Sequence, residues 1–192
     1  MKIIKVAALL ATVAATIITS ACSGGQTFDK TSEINVISRE DGSGTRGAFI
    51  ELFGVEEKDA NGNKTDKTTL EATIVNNTAT VMTTVAGDVN AIGYISLGSL
   101  NDTVKALKID GVVASAENVK NGTYKVSRPF NIATKGTPNA QTADFIAFIL
   151  SDDGQKVISD NHYIAVDSTG AYTPSDVSGK IVVAGSSSVT PV

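Results

Sequence analysis

The run Ile34-Asn35-Val36-Ile37 leads into Ser38-Arg39-Glu40-Asp41-Gly42-Ser43-Gly44-Thr45, and apolar residues then recur at Ala48, Phe49, Leu52 and Phe53. A short β-branched run, a glycine-rich turn and a helical period, in that order, predict a strand that turns directly into a helix. The pattern repeats downstream. Ala72 to Val75 reads as a strand, Asn76-Asn77-Thr78 as a polar turn, Ala79 to about Asp88 as a helix, and Ala91 to Ile95 as the next strand. Strand-helix units in series predict an α/β sheet with helices packed on it.

Beyond these units the periodicity predicts further strands at Val104 to Ile109 and Pro129 to Thr134, with a helical turn at Ala116 to Val119 between them. A helix begins at Asn139, with Ala143, Ile146, Ala147 and Leu150 on one face, and a second follows Ser151-Asp152-Asp153-Gly154. Glu56 to Thr68 is a polar excursion or hairpin, of which the solvated loop is the reading held, and Asp167 to Ser178 reads as a turn-rich connection. Lys180 to Ala184 is another β-branched strand that runs into Gly185-Ser186-Ser187-Ser188-Val189-Thr190-Pro191-Val192. No period of 20 to 50 residues recurs, which excludes a solenoid or propeller.

With 192 residues, 42% of them hydrophobic and 19% charged, the chain falls in the range of ordinary globular proteins. The net charge of -4 and the absence of a Lys/Arg cluster argue against nucleic-acid binding. With one His and no Trp there is little material for a histidine metal site or a base-stacking platform, and neither a metal nor a cofactor is expected. The amino-terminal segment has its own pattern. Lys2 and Lys5 precede an apolar run from Val6 to Ile18, too short to span a bilayer, which takes about 20 residues. Residues 1–22 therefore read as a secretory signal. The run ends Thr19-Ser20-Ala21-Cys22, which resembles a bacterial lipobox with Thr19 where Leu or Val is usual, so Cys22 is the expected site of lipidation. An ordinary cleaved signal with an incidental cysteine is the alternative. Residues 23–32 are rich in small polar side chains and read as a flexible tether.

The turn after the first strand carries the chemistry. A helix N-terminus leaves about four N–H groups without intrahelical partners and bears roughly half a positive charge, so it receives anions when side chains leave room. Gly42 and Gly44 are expected to supply that room, Ser43 and Thr45 hydroxyl donors, and Arg39 a planar fork for two oxygens of a tetrahedral anion. Asp41 is expected to pair with Arg39. The alternative is a capped helix with a surface ion pair.

Ser38 to Gly47 (SREDGSGTRG) resembles the second-lobe anion motif of the phosphate-binding lipoproteins of ABC-type phosphate importers. The resemblance extends to Thr78 to Gly98 (TATVMTTVAGDVNAIGYISLG), Val126 to Lys135 (VSRPFNIATK), Phe145 to Lys156 (FIAFILSDDGQK) and Gly185 to Pro191 (GSSSVTP), the last being similar to that family's first-lobe loop. It implies a type II periplasmic-binding-protein fold, here one lobe plus part of the other, a mixed sheet with flanking helices. It also implies phosphate ligands at Arg39, Ser43, Gly44 and Thr45, with Asp41 as the arginine's partner and Gly42 in the same turn, and opposing donors from Ser187, Ser188 and the Val189 N–H.

In the family the GSSSVTP-type loop opens the mature protein, whereas here it comes last. This order implies either a circularly permuted protein or the start of a longer one. Residues 33–178 then form a phosphate-binding-protein-like domain and 179–192 the start of a further lobe, and these 192 residues alone are expected to bind phosphate weakly or not at all. The family's first-lobe serine and acidic acceptor have no identifiable counterpart, although Glu40 or Asp41 could serve as acceptor. The implied function is capture of inorganic phosphate outside the cytoplasmic membrane for an ABC permease, by a lipid-anchored, non-enzymatic protein. Rivals are a binding protein for sulfate, molybdate or a phosphonate, and a surface adhesin or sensor of the same fold. An enzyme is disfavoured because no activating base accompanies Ser187. Asn77-Thr78 reads as a helix cap that could also border the ligand, and His162 as a surface residue after a helix.

Overall fold

A computed structural model describes residues 28–190 and residue 192. The signal segment 1–22, the lipidation site at Cys22 and residues 23–27 of the tether lie outside the described residues. The elements are β1 (Asn35–Arg39), α1 (Gly44–Leu52), β2 (Glu56–Lys58), β3 (Lys64–Asp66), β4 (Thr73–Val75), α2 (Thr78–Gly87), β5 (Ala91–Ile92), α3 (Ala116–Lys120), α4 (Ala140–Leu150) and α5 (Asp152–Asp160). Single 3-10 turns at Leu97–Ser99 and Ser187–Val189 complete the set.

The strand-turn-helix units are present and define the centre of the molecule. β1 lies between β4 and β5, parallel to both, with Arg39 opposite Val75 at one end and Asn35 opposite Ala91 at the other. A central parallel strand is covered on both faces, so its residues do not need to alternate in polarity. Accordingly Ile37, Ser38 and Arg39 are all buried in succession. Because β1 and β4 run in the same direction, their carboxyl ends lie side by side, and each leads into a helix within a few residues.

The helix starts are locally determined. Ser43 caps α1 by accepting from the Arg46 N–H, and Asn77 caps α2 by accepting from the Thr80 N–H at 2.8 Å. Gly42, just before the first cap, has φ +82°, and a Cβ there would meet nothing within 4 Å. The turn requires a left-handed backbone at this position, which glycine adopts without strain. α4 and α5 meet at a sharp corner on Ser151, whose hydroxyl donates to the Phe148 carbonyl at 2.7 Å and accepts from the Gly154 N–H at 3.2 Å.

Four expected features differ. Glu56 to Thr68 is not a solvated loop but an antiparallel hairpin, β2 paired with β3, with Glu56 opposite Asp66 and Lys58 opposite Lys64. The polar residues themselves make it. Asp59 accepts from the N–H groups of Asn61 and Asn63, both at 2.8 Å, and Lys64 pairs with Glu56 at 2.8 Å. Val104 to Ile109 and Pro129 to Thr134 are not strands. The first contributes only an isolated bridge from Ile109 to Val112 across a turn at Asp110-Gly111, and the second is extended without a partner strand. Lys180 to Ala184 likewise has no partner among the described residues, leaving Val182 and Val183 exposed. β-branched composition favours a pleated surface but supplies no neighbour to pair with.

The core of this region sits between the sheet and α2, where Ile37 and Val81 are buried. Gly93, immediately after β5, passes so close that an added Cβ would lie 2.8 Å from Val81 Cγ1 and 3.5 Å from the Ile37 Cβ. Valine cannot turn aside easily, since its χ1 is restricted in a helix. Gly93→Ala is therefore expected to cost about 1–3 kcal/mol by overpacking. Combined with Val81→Ala it should cost less than the sum of the two single changes. Urea unfolding of the two single variants and the double variant measures this, and strict additivity would contradict the packing described.

Candidate functional site

Arg39 is the last residue of β1 and is only 2% exposed. A buried guanidinium requires nearly every N–H to be met by an acceptor. Its Nε and Nη2 donate to the two carboxylate oxygens of Glu40, at 2.8 and 2.9 Å, a bidentate pair along one edge of the fork. The other edge faces hydroxyls, with Nη2 3.0 Å from Ser187 Oγ and Nη1 3.4 Å from Thr78 Oγ1. Hydrogen bonds from Arg39 outweigh a small burial effect and hold the Glu40 carboxyl below its usual range.

The partner of Arg39 is thus Glu40, not Asp41. Asp41 stands in the turn beyond the strand with its side chain 97% exposed, and its Oδ1 lies 2.9 Å from Nη1 of Arg46 instead. A short carboxylate on an outward-facing turn does not reach back to the buried guanidinium, whereas Glu40, with one more methylene, folds over its outer edge.

The N-terminus of α1 forms the second wall. Gly44 and Thr45 are its first residues, so their N–H groups have no carbonyl to bond inside the helix. A Cβ on Gly44 would sit 3.5 Å from Ser186, an ordinary contact, so the segment after Gly185 packs directly against this helix start. Thr45 Oγ1 hydrogen-bonds Ser188 Oγ, and Ser43, also buried, spends its oxygen lone pair on the cap while keeping its O–H free to donate.

Ser187, Ser188 and Val189 all come to this place, in unequal roles. Ser187 faces Arg39 and Thr78, and Ser188 faces Thr45. Val189 was expected to offer its N–H, but that group donates to the Ser186 carbonyl at 3.0 Å and closes the 3-10 turn. Tyr163 supports the turn from behind by donating its hydroxyl to the Ser188 carbonyl. The ring of Tyr163 lies where a side chain on Gly98 would be, 2.5 Å from an added Cβ, so that position accommodates no larger residue without displacing it.

Several further residues hold the site. The Tyr94 hydroxyl is 2.8 Å from Ser38 Oγ and accepts from the Arg39 N–H at 3.0 Å, while its ring stacks on Phe49 with centroids 4.1 Å apart. Thr78, read as part of a helix cap that could also border the ligand, is buried and faces the guanidinium. Arg128 donates to the Gly44 carbonyl at 2.7 Å. Arg46 lies inside the SREDGSGTRG run, yet its partner Asp66 lies in the hairpin, whose pairing the sequence pattern does not reveal. His162 is exposed just past α5 with φ +66°. The assembly is a set of N–H and O–H donors around one guanidinium edge, at the carboxyl ends of parallel strands where α/β sheets receive ligands. Ser187 Oγ accepts from Arg39 Nη2 and lies 3.5 Å from Thr78 Oγ1.

The sequence model for the PBP superfamily domain matches residues 23–153. Phosphate-binding protein PstS 2 of Streptococcus agalactiae is 54% identical over 176 residues, which cover 91% of this chain and 60% of that protein. Among solved structures, the phosphate-binding protein of a phosphate ABC transporter from Streptococcus pneumoniae superposes with a TM-score of 0.66 at 49% identity, over 77% of this chain and 58% of that one. A candidate phosphate ABC transporter substrate-binding protein from Clostridium perfringens, solved with bound phosphate, gives 0.60 at 42% identity, over 70% of this chain and 52% of that one. The chain thus spans about 60% of the length of the curated relative it matches. Its parallel sheet with flanking helices is part of the type II periplasmic-binding-protein fold, and the chain belongs to the PBP superfamily.

Proposed function

We propose that the protein binds inorganic phosphate outside the cytoplasmic membrane and delivers it to the permease of an ABC transporter, without catalysing a reaction. The observation that carries this reading is the buried Arg39 guanidinium. Glu40 occupies one edge, and the other opens onto Thr78, Ser187 and the first turn of α1. That edge and the surrounding hydroxyls match a tetrahedral anion with several acceptor oxygens. Proteins named as phosphate-binding, at 49% to 54% identity, support the same ligand. Arg39, Gly42, Ser43, Gly44 and Thr45 form the grip from one side, and Ser187 and Ser188 from the other. Asp41 acts through the turn rather than on the ligand. In this reading residues 1–22 are the signal, Cys22 carries the lipid, and 23–32 tether the domain 33–178, with 179–192 beginning a further lobe.

A second oxyanion such as sulfate would use the same donors, and competition over a pH series separates the two, because only phosphate changes its proton count near neutrality. Arg39→Ala should weaken phosphate binding by a factor of about 30 or more, the range for removing one partner of a buried charged pair. Arg39→Lys should not restore it, since an ammonium lacks the planar fork. Titration calorimetry measures both, and wild-type affinity in either variant would overturn the assignment.

Glu40 gives a pH test. Its folded carboxyl titrates below the unfolded value, so its stabilising contribution is complete above the ordinary carboxylate range, about 4, and is lost as pH falls through the lowered value. Glu40→Gln should remove that acid-side loss, seen as a flatter dependence of the melting temperature on pH. An unchanged acid limb would show that Glu40 is not the group responsible.

A further inference from the structure

Between β1 and α1 the chain makes a four-residue turn, Glu40 to Ser43, with Gly42 in the left-handed region. A glycine turn alone leaves the strand end and the helix start free to shift relative to each other. One side chain crosses that turn. Arg46, in the first turn of α1, has its side chain only 17% exposed and donates through Nη1 to the backbone carbonyl of Arg39 at 2.8 Å. The same Nη1 lies 2.9 Å from Asp41. Nε and Nη2 both reach Oδ2 of Asp66, at 2.9 and 2.8 Å.

Asp66 is itself fixed. It ends β3, and its other oxygen accepts from the Thr68 N–H at 2.7 Å and the Thr68 hydroxyl at 2.6 Å. Burial pushes its carboxyl up, but the bonds from Thr68 and Arg46 outweigh this and keep it ionised. The hairpin thus has a rigid acceptor aimed at a guanidinium that in turn holds the carbonyl of Arg39.

We propose that Arg46 and Asp66 are positioning residues for the anion grip, through which the β2-β3 hairpin sets the strand end that carries Arg39 relative to the N-terminus of α1. The proposal rests on the phosphate reading above. It makes a prediction of opposite sign to simple electrostatics. Asp66 places a negative charge near an anion site, so a purely electrostatic role predicts tighter phosphate binding once that charge is removed. Positioning predicts weaker binding, because a misplaced fork loses its bidentate geometry.

The test is calorimetric titration of the purified protein with inorganic phosphate, comparing Asp66→Asn, Asp66→Glu and Arg46→Lys. Asp66→Asn and Arg46→Lys should each raise Kd by about tenfold, or 1.4 kcal/mol, and Asp66→Glu should recover most of the loss. Lys156→Gln breaks an exposed ion pair with Asp160 on α5, outside the hairpin, and should leave Kd unchanged. Unchanged or tighter binding in Asp66→Asn, or equal loss in Lys156→Gln, overturns positioning. If the unsubstituted protein gives no heat with phosphate, the weak binding expected of these 192 residues is met and Kd does not rank the variants. The positioning is then decided by NMR of the Arg39 Nε–H, whose solvent exchange should accelerate in Asp66→Asn and in Arg46→Lys. Unaltered exchange in both sinks it.

Discussion

A guanidinium withdrawn from water at the end of a central strand sets the terms for everything around it. Arg39 cannot lose its charge by titration, so burial forces the surroundings to supply acceptors. Glu40 supplies two along one edge. The remaining edge meets only neutral oxygens, at 3.0 Å from Ser187 and 3.4 Å from Thr78. A cation satisfied by one carboxylate and two hydroxyls retains attraction for an anion in a way that one between two carboxylates would not. The ion pair with Glu40 thus orients the fork and sets which face is left to bind.

The same requirement explains the polar character of the buried residues here. Ser38, Ser43, Thr78 and Ser188 are buried together with Arg39, while Ile37 and Val81 form the apolar layer beneath. Each of these hydroxyls has a partner: Tyr94 for Ser38, the Arg46 N–H for Ser43, Arg39 for Thr78 and Thr45 for Ser188. Satisfied networks of this kind hold side chains in one arrangement, and leaving any member unpaired is costly. Tyr94 is central to this arrangement, since its hydroxyl bonds both Ser38 and the Arg39 N–H while its ring lies flat on Phe49 of α1.

What could be read from the sequence followed the range of the forces involved. The strand-turn-helix order, the cap at Asn77 and the motif around Arg39 depend on residues within a few positions of one another. Pairing over longer distances was less legible. The hairpin from Glu56 to Asp66 carries no apolar alternation, because charged cross-strand pairs and the Asp59 turn stabilise it. Val104 to Ile109 has the composition of a strand and lacks the neighbour that would make it one. The exchange of partners, Glu40 for Asp41 on Arg39, turned on which carboxylate faces inward at a strand end, which spacing alone does not determine. Thr78 and Ser187 stand 109 positions apart and meet at Arg39, whose strand ends beside β4.

The charges near the site bear on how an acidic protein would present the proposed anion grip. Arg39 and Arg46 are matched by Glu40, Asp41 and Asp66, so the fixed charges in this cluster do not sum to a positive field. Attraction must arise from short-range donors: one guanidinium edge, the hydroxyls facing it, and the N–H groups at the start of α1. Such interactions depend on distance and angle more steeply than a net field does. A site of that kind needs a rigid frame more than it needs surplus charge. The Arg46 bridge to the hairpin, the Tyr94 contact with the strand end and the cap on α1 provide that frame from three directions.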